Sequence, residues 1–329
     1  MAGGPTTPEL VAAVSNAGGL GSLAAPYLTP GQITAAITRI RELTDRPFAV
    51  NLFTVDSAPL DRDPAAMLAL LGSYHSELGL PPPALPERPA ERFDEQAAVI
   101  LAARVPVLSF TFGIPAPEWL AAFRATGTLL VGTATTVEEA KRLEAAGSDA
   151  VCVQGAEAGG HRGTFLGRFE DAMVPTLELV SAAVAAVRCP VVAAGGIMDG
   201  AGIRAALAHG AAAVQLGTAF VACPESGAPA PHKAAVLAAS EDTTVITRVF
   251  SGRPARGFRN RFVTEIEPHG EAVLPFPWQN AATRPLRTAA ARAGRGELMS
   301  LWAGQRAGLA RAVPAAELVA MLMAEAGLP

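Results

Sequence analysis

Apolar side chains along this chain follow two alternating patterns, one with the period of an α-helix and one that is continuous, as in a buried strand. Residues 8–17 place Leu10, Val11 and Val14 on one helical face, and Gly18 ends the pattern. A short apolar segment follows at once. The same order of helix and strand repeats through most of the chain, which predicts a series of βα units.

Seven of the apolar segments are predicted to be strands, because each is short and is bounded by glycine, proline or polar residues. They lie at 20–25, 48–53, 105–110, 128–131, 150–154, 191–194 and 213–216. Gly147 and Gly210 each end a helix before a strand, at a spacing of about two βα units. A doubly wound sheet and a barrel both fit this rhythm, and the spacing favours an α/β fold of the TIM (β/α)8 type.

Two segments depart from the rhythm. Residues 56–89 are rich in proline and are predicted to be an insertion that crosses the active face. The barrel unit with this insertion is predicted to occupy residues 1–226. Residues 227–329 are predicted to form a small helix-rich unit packed over the barrel mouth.

Composition narrows the class of protein. Half of the 329 residues are hydrophobic, which excludes wholesale disorder, and the net charge of −4 comes without a basic cluster for nucleic acid. No apolar run approaches the roughly 18 residues of a membrane helix, and no signal-peptide pattern is present. The three cysteines form no CxxC pattern. We expect a soluble, cytoplasmic protein with no nucleic-acid or membrane partner, compatible with a homo-oligomer.

The loop after the strand at 150–154 carries the strongest candidate for catalysis. Residues 155–163 place His161 among four glycines. Barrels carry their functional residues on such loops, and glycines let the backbone approach a flat or anionic ligand. Because no apolar residue flanks it, His161 is predicted to act in catalysis rather than in a structural network. The other histidines lack metal-ligand spacing, so no metal is assigned.

Two further loops are typical of a phosphate site. Gly195 and Gly196 end one strand, and Gly217 and Thr218 end the next. Barrels commonly bind a phosphate between the loops after their last two strands, through backbone N–H groups and a helix N-terminus. Paired glycines also make ordinary turns. Their occurrence in consecutive units favours a phosphate-bearing ligand.

Several other side chains at loop positions have two interpretations. Asn51 and Gln154 lie at or near strand ends. An amide side chain there either contacts a polar ring or a ribityl-like hydroxyl chain of a ligand, or caps a turn of the protein itself. Phe110 and Phe112 line either a substrate space or the core. Asp199 follows a glycine pair and is predicted to be a helix N-cap.

The chain also carries a series of short motifs. They are AGGPTTP at 2–8, SNAGGLG at 15–21, NLF at 51–53, SFTFG at 109–113, GGHRG at 159–163, AAGG at 193–196, QLGT at 215–218, QN at 279–280 and LWAGQ at 301–305. In combination they resemble the class I nitronate monooxygenases, formerly called 2-nitropropane dioxygenases. The resemblance covers nearly the whole chain, and the combination is specific although each motif is not.

This resemblance implies a TIM-barrel flavoprotein that binds FMN without a covalent link. It implies oxidation of alkyl nitronates with O2 to a carbonyl product and nitrite, and detoxification of nitronates such as propionate 3-nitronate. His161 matches the active-site histidine, which binds the nitronate anion when protonated or takes the α-proton of a nitroalkane when neutral. Gly195, Gly196, Gln215, Leu216, Gly217 and Thr218 match phosphate-side positions, and Gly3, Asn51, Gln154, Gly159 and Gly160 match positions near the ribityl chain and ring.

One departure from the family pattern concerns the first strand. Members usually have a segment before the AGGPTTP motif that contains the first barrel strand, and this sequence starts at that motif. We therefore expect a barrel whose first strand is missing, with the true start upstream or the product truncated.

Two other functions stay open. Flavin barrels that reduce quinones or enoyl thioesters with NAD(P)H also carry a Gly-Gly-His loop, although no nicotinamide site is evident in this sequence. A flavin-free phosphate-binding barrel, either an isomerase or a sensor, is the alternative from another class. No GxSxG, Walker A or strand-borne GxGxxG motif supports a serine hydrolase, P-loop or Rossmann protein.

Overall fold

The computed structural model describes residues 2–55, 59–240 and 243–328. Residues 56–58 of the predicted insertion and residues 241–242 and 329 of the predicted C-terminal unit lie outside the described residues, as does Met1. The strands are β1 (Gly21–Ala24), β2 (Phe48–Phe53), β3 (Val107–Thr111), β4 (Leu129–Ala134), β5 (Ala150–Gln154), β6 (Gly160–His161), β7 (Val191–Ala194), β8 (Ala213–Gln215), β9 (Thr244–Thr247) and β10 (Ala255–Phe258).

Helices alternate with these strands through the first two thirds of the chain. They are α1 (Pro8–Asn16), α2 (Pro30–Leu43), α3 (Ala65–Glu77), α4 (Phe93–Ala102), α5 (Pro117–Ala125), α6 (Val137–Ala145), α7 (Thr176–Val184), α8 (Gly200–Ala208), α9 (Ala230–Leu237), α10 (Arg261–Ile266), α11 (Trp278–Arg292) and α12 (Ala315–Ala326). Within the described ranges, none of the helices has the length and apolar character needed to cross a lipid bilayer.

Seven strands form one parallel sheet in the order β1-β2-β3-β4-β5-β7-β8. Neighbouring strands pair in continuous parallel register. For example, Val50 of β2 lies opposite Leu108 of β3, and Ser109 of β3 lies opposite Val131 of β4. In the part of the chain that the structure describes, β1 and β8 are the two edges of this curved sheet. The α/β fold of the TIM type is confirmed, and the seven predicted strands match the observed ones to within three residues at each end.

The parallel strands form because their side chains are buried on both faces. Leu52 and Phe110 are fully buried, and the covering helices present apolar faces such as Ile33, Ile37 and Ile40 of α2. Burial of this kind stabilises by about 25 cal/mol for each square ångström of apolar surface removed from water. The core therefore lies between sheet and helices and inside the curve of the sheet.

Local capping fixes where the helices begin. The Thr29 side chain accepts a hydrogen bond from the Gln32 N–H, and the Gln32 side chain accepts one from the Thr29 N–H, which together make a capping box at the start of α2. The Asp199 carboxylate accepts a hydrogen bond from the Gly202 N–H at 2.7 Å. Asp199 is therefore the N-cap of α8, as predicted.

A second, antiparallel sheet has the order β6-β10-β9 and was not predicted. Its strands are two to four residues long, and β10 contains Arg256 and Gly257, so its apolar signal is weak. The sheet pairs His161 with Ala255. It therefore joins the histidine loop directly to the C-terminal third of the chain.

The insertion and the C-terminal third share a second hydrophobic cluster. Met67 and Leu71 of α3 pack in this cluster with Phe250, Phe262 and Leu286. The last helix, α12, packs against α8 and α1 of the barrel. The C-terminal third thus contacts the barrel both above its mouth and at its outer helices.

Candidate active site

A cavity of about 1370 Å³ opens at the carboxyl ends of the parallel strands. It extends between the edge strands β1 and β8, where Val11 and Leu322 line it. The loops at this end of a barrel carry its functional residues. The structure brings every predicted site residue to this cavity: Gly3, Asn51, Gln154, Gly159, Gly160, His161, Gly195, Gly196, Gln215, Leu216, Gly217 and Thr218.

The two predicted phosphate loops lie side by side because β7 and β8 are neighbours. Gly195 and Gly196 have φ values of +122° and +67°, which L side chains rarely adopt. A Cβ on Gly217 would meet no protein atom within 4 Å. Among the described residues, the N–H groups of Gly196, Gly217 and Thr218 donate to no protein acceptor. These donors are available to an anion in the cavity.

The loop after β5 is fixed to the loop after β7. The Glu157 carboxylate accepts hydrogen bonds from the Thr176 N–H at 2.9 Å and from the Thr176 hydroxyl at 2.6 Å. The Thr176 hydroxyl also lies 3.0 Å from the carbonyl oxygen of Gly195. A half-buried carboxylate with several donors is thus a structural link between two cavity loops.

The backbone of the C-terminal third closes against the histidine loop at Gly159. A Cβ on Gly159 would lie 2.5 Å from the Gly304 nitrogen, so a side chain does not fit there. The Gly304 N–H donates to the Thr218 hydroxyl at 3.0 Å. The LWAGQ motif therefore borders both the histidine loop and the phosphate side of the cavity.

His161 lies on β6 within a set of aromatic rings. The centroid of its ring is 5.5 Å from that of Trp302, 5.9 Å from Phe276, 6.0 Å from Phe112 and 6.4 Å from Phe53. The expectation that His161 has no apolar neighbours is therefore wrong. Its neighbours in sequence are polar or small, but four distant segments bring aromatic rings to it.

This environment keeps His161 neutral. Burial, followed by the nearby charges of Arg253 and Arg287, lowers the pKa of His161 to about 3. Its Nε2 atom is buried and has no hydrogen-bond partner in the described part of the chain. A buried polar atom without a partner indicates a position for a ligand atom.

The two amides at strand ends have different surroundings. Gln154 holds the histidine loop, since its Nε2 donates to the His161 carbonyl at 3.0 Å and its Oε1 accepts from the Gly163 N–H at 2.8 Å. Asn51 Nδ2 donates to the Ser109 hydroxyl at 3.0 Å. Both side chains line the cavity, and Gln154 also sets the position of His161.

The two phenylalanines of β3 and its following loop separate into two roles. Phe110 is fully buried in the barrel core, whereas Phe112 lines the cavity. Phe112 has a φ of +78°, which is rare for a bulky residue. The Arg253 guanidinium lies 3.9 Å from the centroid of its ring. Such a conformation, held by packing, is common at functional sites.

A cationic group in the cavity was missed from the sequence. Arg284 and Arg287 of α11 line the cavity together with Tyr27, and the Arg284 guanidinium lies 5.4 Å from the centroid of the Tyr27 ring. The sequence did contain a signal. Arg284 and Arg287 follow Asn280 of the QN motif by four and seven residues, which places all three on one helical face.

The described residues were not found to offer this site a cluster of metal ligands or a thiolate. In the ranges that the structure describes, no group of three or more His, Cys, Asp or Glu side chains is arranged to hold a metal ion. Cys152 lines the cavity, but burial raises the pKa of its thiol to about 12.

Comparison of the sequence with models of known protein families identifies one family. The family model described as nitronate monooxygenase matches residues 1–325. The chain belongs to the nitronate monooxygenase family. It is therefore an oxidoreductase, and the predicted family is confirmed.

Members of the family resemble this chain over most of their length. A nitronate monooxygenase of Pseudomonas aeruginosa is 46% identical over 329 residues, which cover 98% of this chain and 93% of that protein. A probable nitronate monooxygenase of Staphylococcus saprophyticus is 40% identical over 326 residues, covering 98% and 92%.

Solved structures share the fold of this family member. Nitroalkane oxidase from Streptomyces ansochromogenes superposes with a TM-score of 0.93 at 46% identity, covering 99% of this chain and 94% of that one. FabK from Thermotoga maritima superposes with a TM-score of 0.77 at 32% identity, covering 99% and 90%. The fold is thus shared by proteins with different names, and function depends on the site.

Proposed function

We propose that this chain is an FMN-dependent nitronate monooxygenase that oxidises an alkyl nitronate with O2 to a carbonyl compound and nitrite. One observation carries the proposal. A single cavity contains two loops with free backbone N–H groups and the half-buried, neutral His161, whose buried Nε2 has no partner among the described residues. Membership of the nitronate monooxygenase family supports the assignment.

The residues present fit a flavin mononucleotide. Gly196, Gly217 and Thr218 offer N–H donors to its phosphate, and no side chain fills the space in front of Gly217. Asn51 and Gln154 line the same cavity and offer amide groups to the ribityl chain and ring. When bound, FMN supplies the redox chemistry, accepting electrons from the nitronate and passing them to O2.

We assign His161 a role as a neutral imidazole. In one tautomer its Nε2–H donates a hydrogen bond to a nitronate oxygen, and in the other Nε2 accepts the α-proton of a neutral nitroalkane. The low pKa argues against an imidazolium that pairs with the nitronate charge. Gln154 fixes the backbone from His161 to Gly163 through its bonds to the His161 carbonyl and the Gly163 N–H.

The aromatic rings around His161 provide the apolar part of the site. Phe53, Phe112, Phe276 and Trp302 each contact the imidazole ring. They exclude water from the position of the substrate and offer a surface to its alkyl chain. This region therefore suits the alkyl part of a small nitronate.

Anaerobic mixing tests the proposal directly. FMN-reconstituted protein mixed with propionate 3-nitronate should lose its visible flavin absorbance, and admission of oxygen should restore it and yield nitrite. His161→Asn should keep the flavin and lose most nitronate turnover. His209→Asn is a matched control, because His209 is exposed on the barrel surface and bonds to Ser181. Unchanged turnover in His161→Asn would remove this residue from the mechanism.

A second variant tests the phosphate side. The φ of Gly217 is −120°, outside the left-handed region that favours glycine, and a Cβ there would meet no protein atom within 4 Å. Gly217→Val should therefore fold but bind little FMN, because its side chain enters the space proposed for the phosphate. Flavin content per protein and the far-ultraviolet circular dichroism spectrum measure the two properties. Full flavin occupancy would contradict the assignment.

The Gly-Gly-His loop at 159–161 keeps a second candidate open, an FMN-dependent reductase of quinones or enoyl thioesters that uses NAD(P)H. Rapid bleaching of the flavin by NADH without oxygen, and no response to a nitronate, would favour it. A colourless protein that cannot be reconstituted with FMN would instead favour the flavin-free phosphate-binding barrel.

We further propose a cytoplasmic location, which is supported by the three cysteines, all of them unpaired.

A further inference from the structure

The loop that carries His161 is held by arginines that bond to backbone carbonyl groups. The side chain of Arg162 is fully buried, and its guanidinium donates to the Gln154 carbonyl at 2.9 Å. Arg256 donates twice to the Ala156 carbonyl, at 2.9 and 3.1 Å. These two arginines therefore fix the loop where it leaves β5, before the histidine.

Arg253 holds the same loop after the histidine. It lies in the turn between β9 and β10. Its Nε donates to the Arg162 carbonyl at 3.1 Å, and its Nη2 donates to the Thr164 carbonyl. In return, the Arg162 N–H donates to the Pro254 carbonyl at 2.9 Å. Three hydrogen bonds therefore join this turn of the C-terminal third to the backbone that directly follows His161.

Arg253 also contacts an aromatic ring next to the imidazole. Its guanidinium lies 3.9 Å from the centroid of the Phe112 ring, where a cation is attracted to the negative face of the ring. The Phe112 and His161 rings lie 6.0 Å apart between centroids, and the φ of Phe112 is +78°. A bulky residue keeps such a conformation only when its surroundings hold it. Arg253 therefore supports both the backbone beside His161 and one of the rings around its side chain.

Arg253 has these contacts from outside the cavity. The described residues that line the cavity include His161 and Phe112 but not Arg253. Burial lowers the pKa of Arg253 to about 10, against the opposing effect of Glu139, so the guanidinium stays charged at neutral pH. Its planar fork fixes the direction of two carbonyl groups at once. Any effect of Arg253 on the reaction must therefore reach the substrate through another residue.

We propose that Arg253 is a positioning residue for nitronate oxidation, which orients His161 through the backbone that follows it and through the Phe112 ring. The inference rests on the proposed function and adds to it a residue outside the cavity. It also gives the antiparallel sheet β6-β10-β9 a role, because this sheet brings the turn that contains Arg253 to the histidine loop. Misplacement of a reacting group by about 1 Å is sufficient to lower a rate about a hundredfold.

Anaerobic reduction of the flavin by propionate 3-nitronate measures the effect in FMN-loaded protein. Arg253→Met removes the guanidinium, and the rate constant at saturating nitronate should fall by about tenfold to a hundredfold. The nitronate concentration that gives half the maximal rate should change by less than about threefold, because Arg253 does not contact the substrate. Arg253→Lys should recover part of the rate, since it keeps the charge without the fork. Arg248→Met, which removes an exposed arginine from the same turn, is the matched control and should behave as the wild type.

A double-mutant cycle separates positioning from a structural role. If Arg253 acts through His161, the rate constant of His161→Asn should change by less than about twofold when Arg253→Met is added. A residue that only supports the fold would lower the rate by the same factor in both backgrounds.

Histidine NMR gives a readout that does not depend on turnover. The Cε1–H resonance of His161 is identified by its loss in His161→Asn, and its position depends on the aromatic rings around the imidazole. This resonance should shift or broaden in Arg253→Met and stay in place in Arg248→Met.

The outcomes separate this inference from the proposed function. A wild-type protein whose flavin is not reduced by the nitronate contradicts the proposed function, and an unchanged His161 resonance in Arg253→Met would then overturn the positioning role as well. If the wild-type flavin is reduced, an unchanged rate constant in Arg253→Met, or an equal loss in both backgrounds, overturns the positioning role alone. Loss of flavin or of folding in both Arg253→Met and Arg253→Lys also overturns it, because the arginine would then serve the cofactor or the fold.

Discussion

Protonation of His161 should cost enough free energy to appear in the pH dependence of stability. Its pKa is about 3 in the folded protein, against 6.5 for an ordinary histidine. At about 1.4 kcal/mol for each tenfold change in proton affinity, the difference corresponds to roughly 5 kcal/mol. Burial is the largest cause, ahead of Arg253 and Arg287, so removal of one arginine should leave the pKa far below 6.5.

The sign of the effect follows from where the proton binds. Between pH 6.5 and about 3, the unfolded chain carries a proton on residue 161 and the folded protein does not. The free energy of unfolding therefore falls as the pH decreases through this range. His161→Asn removes this contribution, and its stability should depend less on pH there. Local opening of the histidine loop makes 5 kcal/mol an upper bound.

Urea unfolding at several pH values measures this contribution. Between about pH 6.5 and pH 5 the wild type should lose up to roughly 2 kcal/mol more stability than His161→Asn. Side-chain NMR of the five histidines gives the direct test. A titration midpoint for His161 between about 6 and 7, where an unperturbed histidine titrates, would refute the argument from burial.

Three further substitutions test the packing and charge of the fold. Gly159→Ala places a Cβ 2.5 Å from the Gly304 nitrogen and should lower the free energy of unfolding by about 1–3 kcal/mol, measured by urea unfolding. An unchanged urea midpoint would show that the backbone shifts at no cost. Phe110→Ala empties a fully buried position and should cost about 3–5 kcal/mol by the same measurement, and a cost near zero would show that the core refills the space. Two arginines, Arg261 foremost, lower the pKa of Glu77 from 4.5 to about 2, so its stabilisation is present above pH 4.5 and lost as the pH falls towards 2. The stability difference between wild type and Glu77→Gln should shrink over that range and in high salt, and a difference that persists at low pH would contradict the ion-pair origin.

The barrel could be predicted because its signals are local. Strands such as β2 and β5 are continuous apolar runs, and helices such as α2 carry one apolar face with a capping threonine. The glycine loops were found for the same reason, since Gly195 and Gly196 need unusual φ values that few other residues adopt. The pattern within a few residues was sufficient at each of these positions.

The small sheet could not be predicted because its stability comes from elsewhere in the chain. β9 and β10 are four residues long, and Gly257 of β10 forms a bridge with Trp302, about forty-five residues later in the sequence. Strands this short form only when other segments cover them. The same long-range packing places the C-terminal third against the histidine loop.

The chemistry of His161 is the clearest case of a property set by distant residues. The sequence supplied the histidine and its glycines, which suffice to predict a residue at a strand end with access to a ligand. Whether it is charged depends on Phe276 and Trp302, which approach from more than a hundred residues away, and on the charge of Arg287. The resemblance leaves two roles open for His161, a protonated ring that binds the nitronate and a neutral ring that takes a proton, and the low pKa in the folded protein favours the neutral ring. Position could be predicted from local pattern, whereas protonation required the tertiary structure.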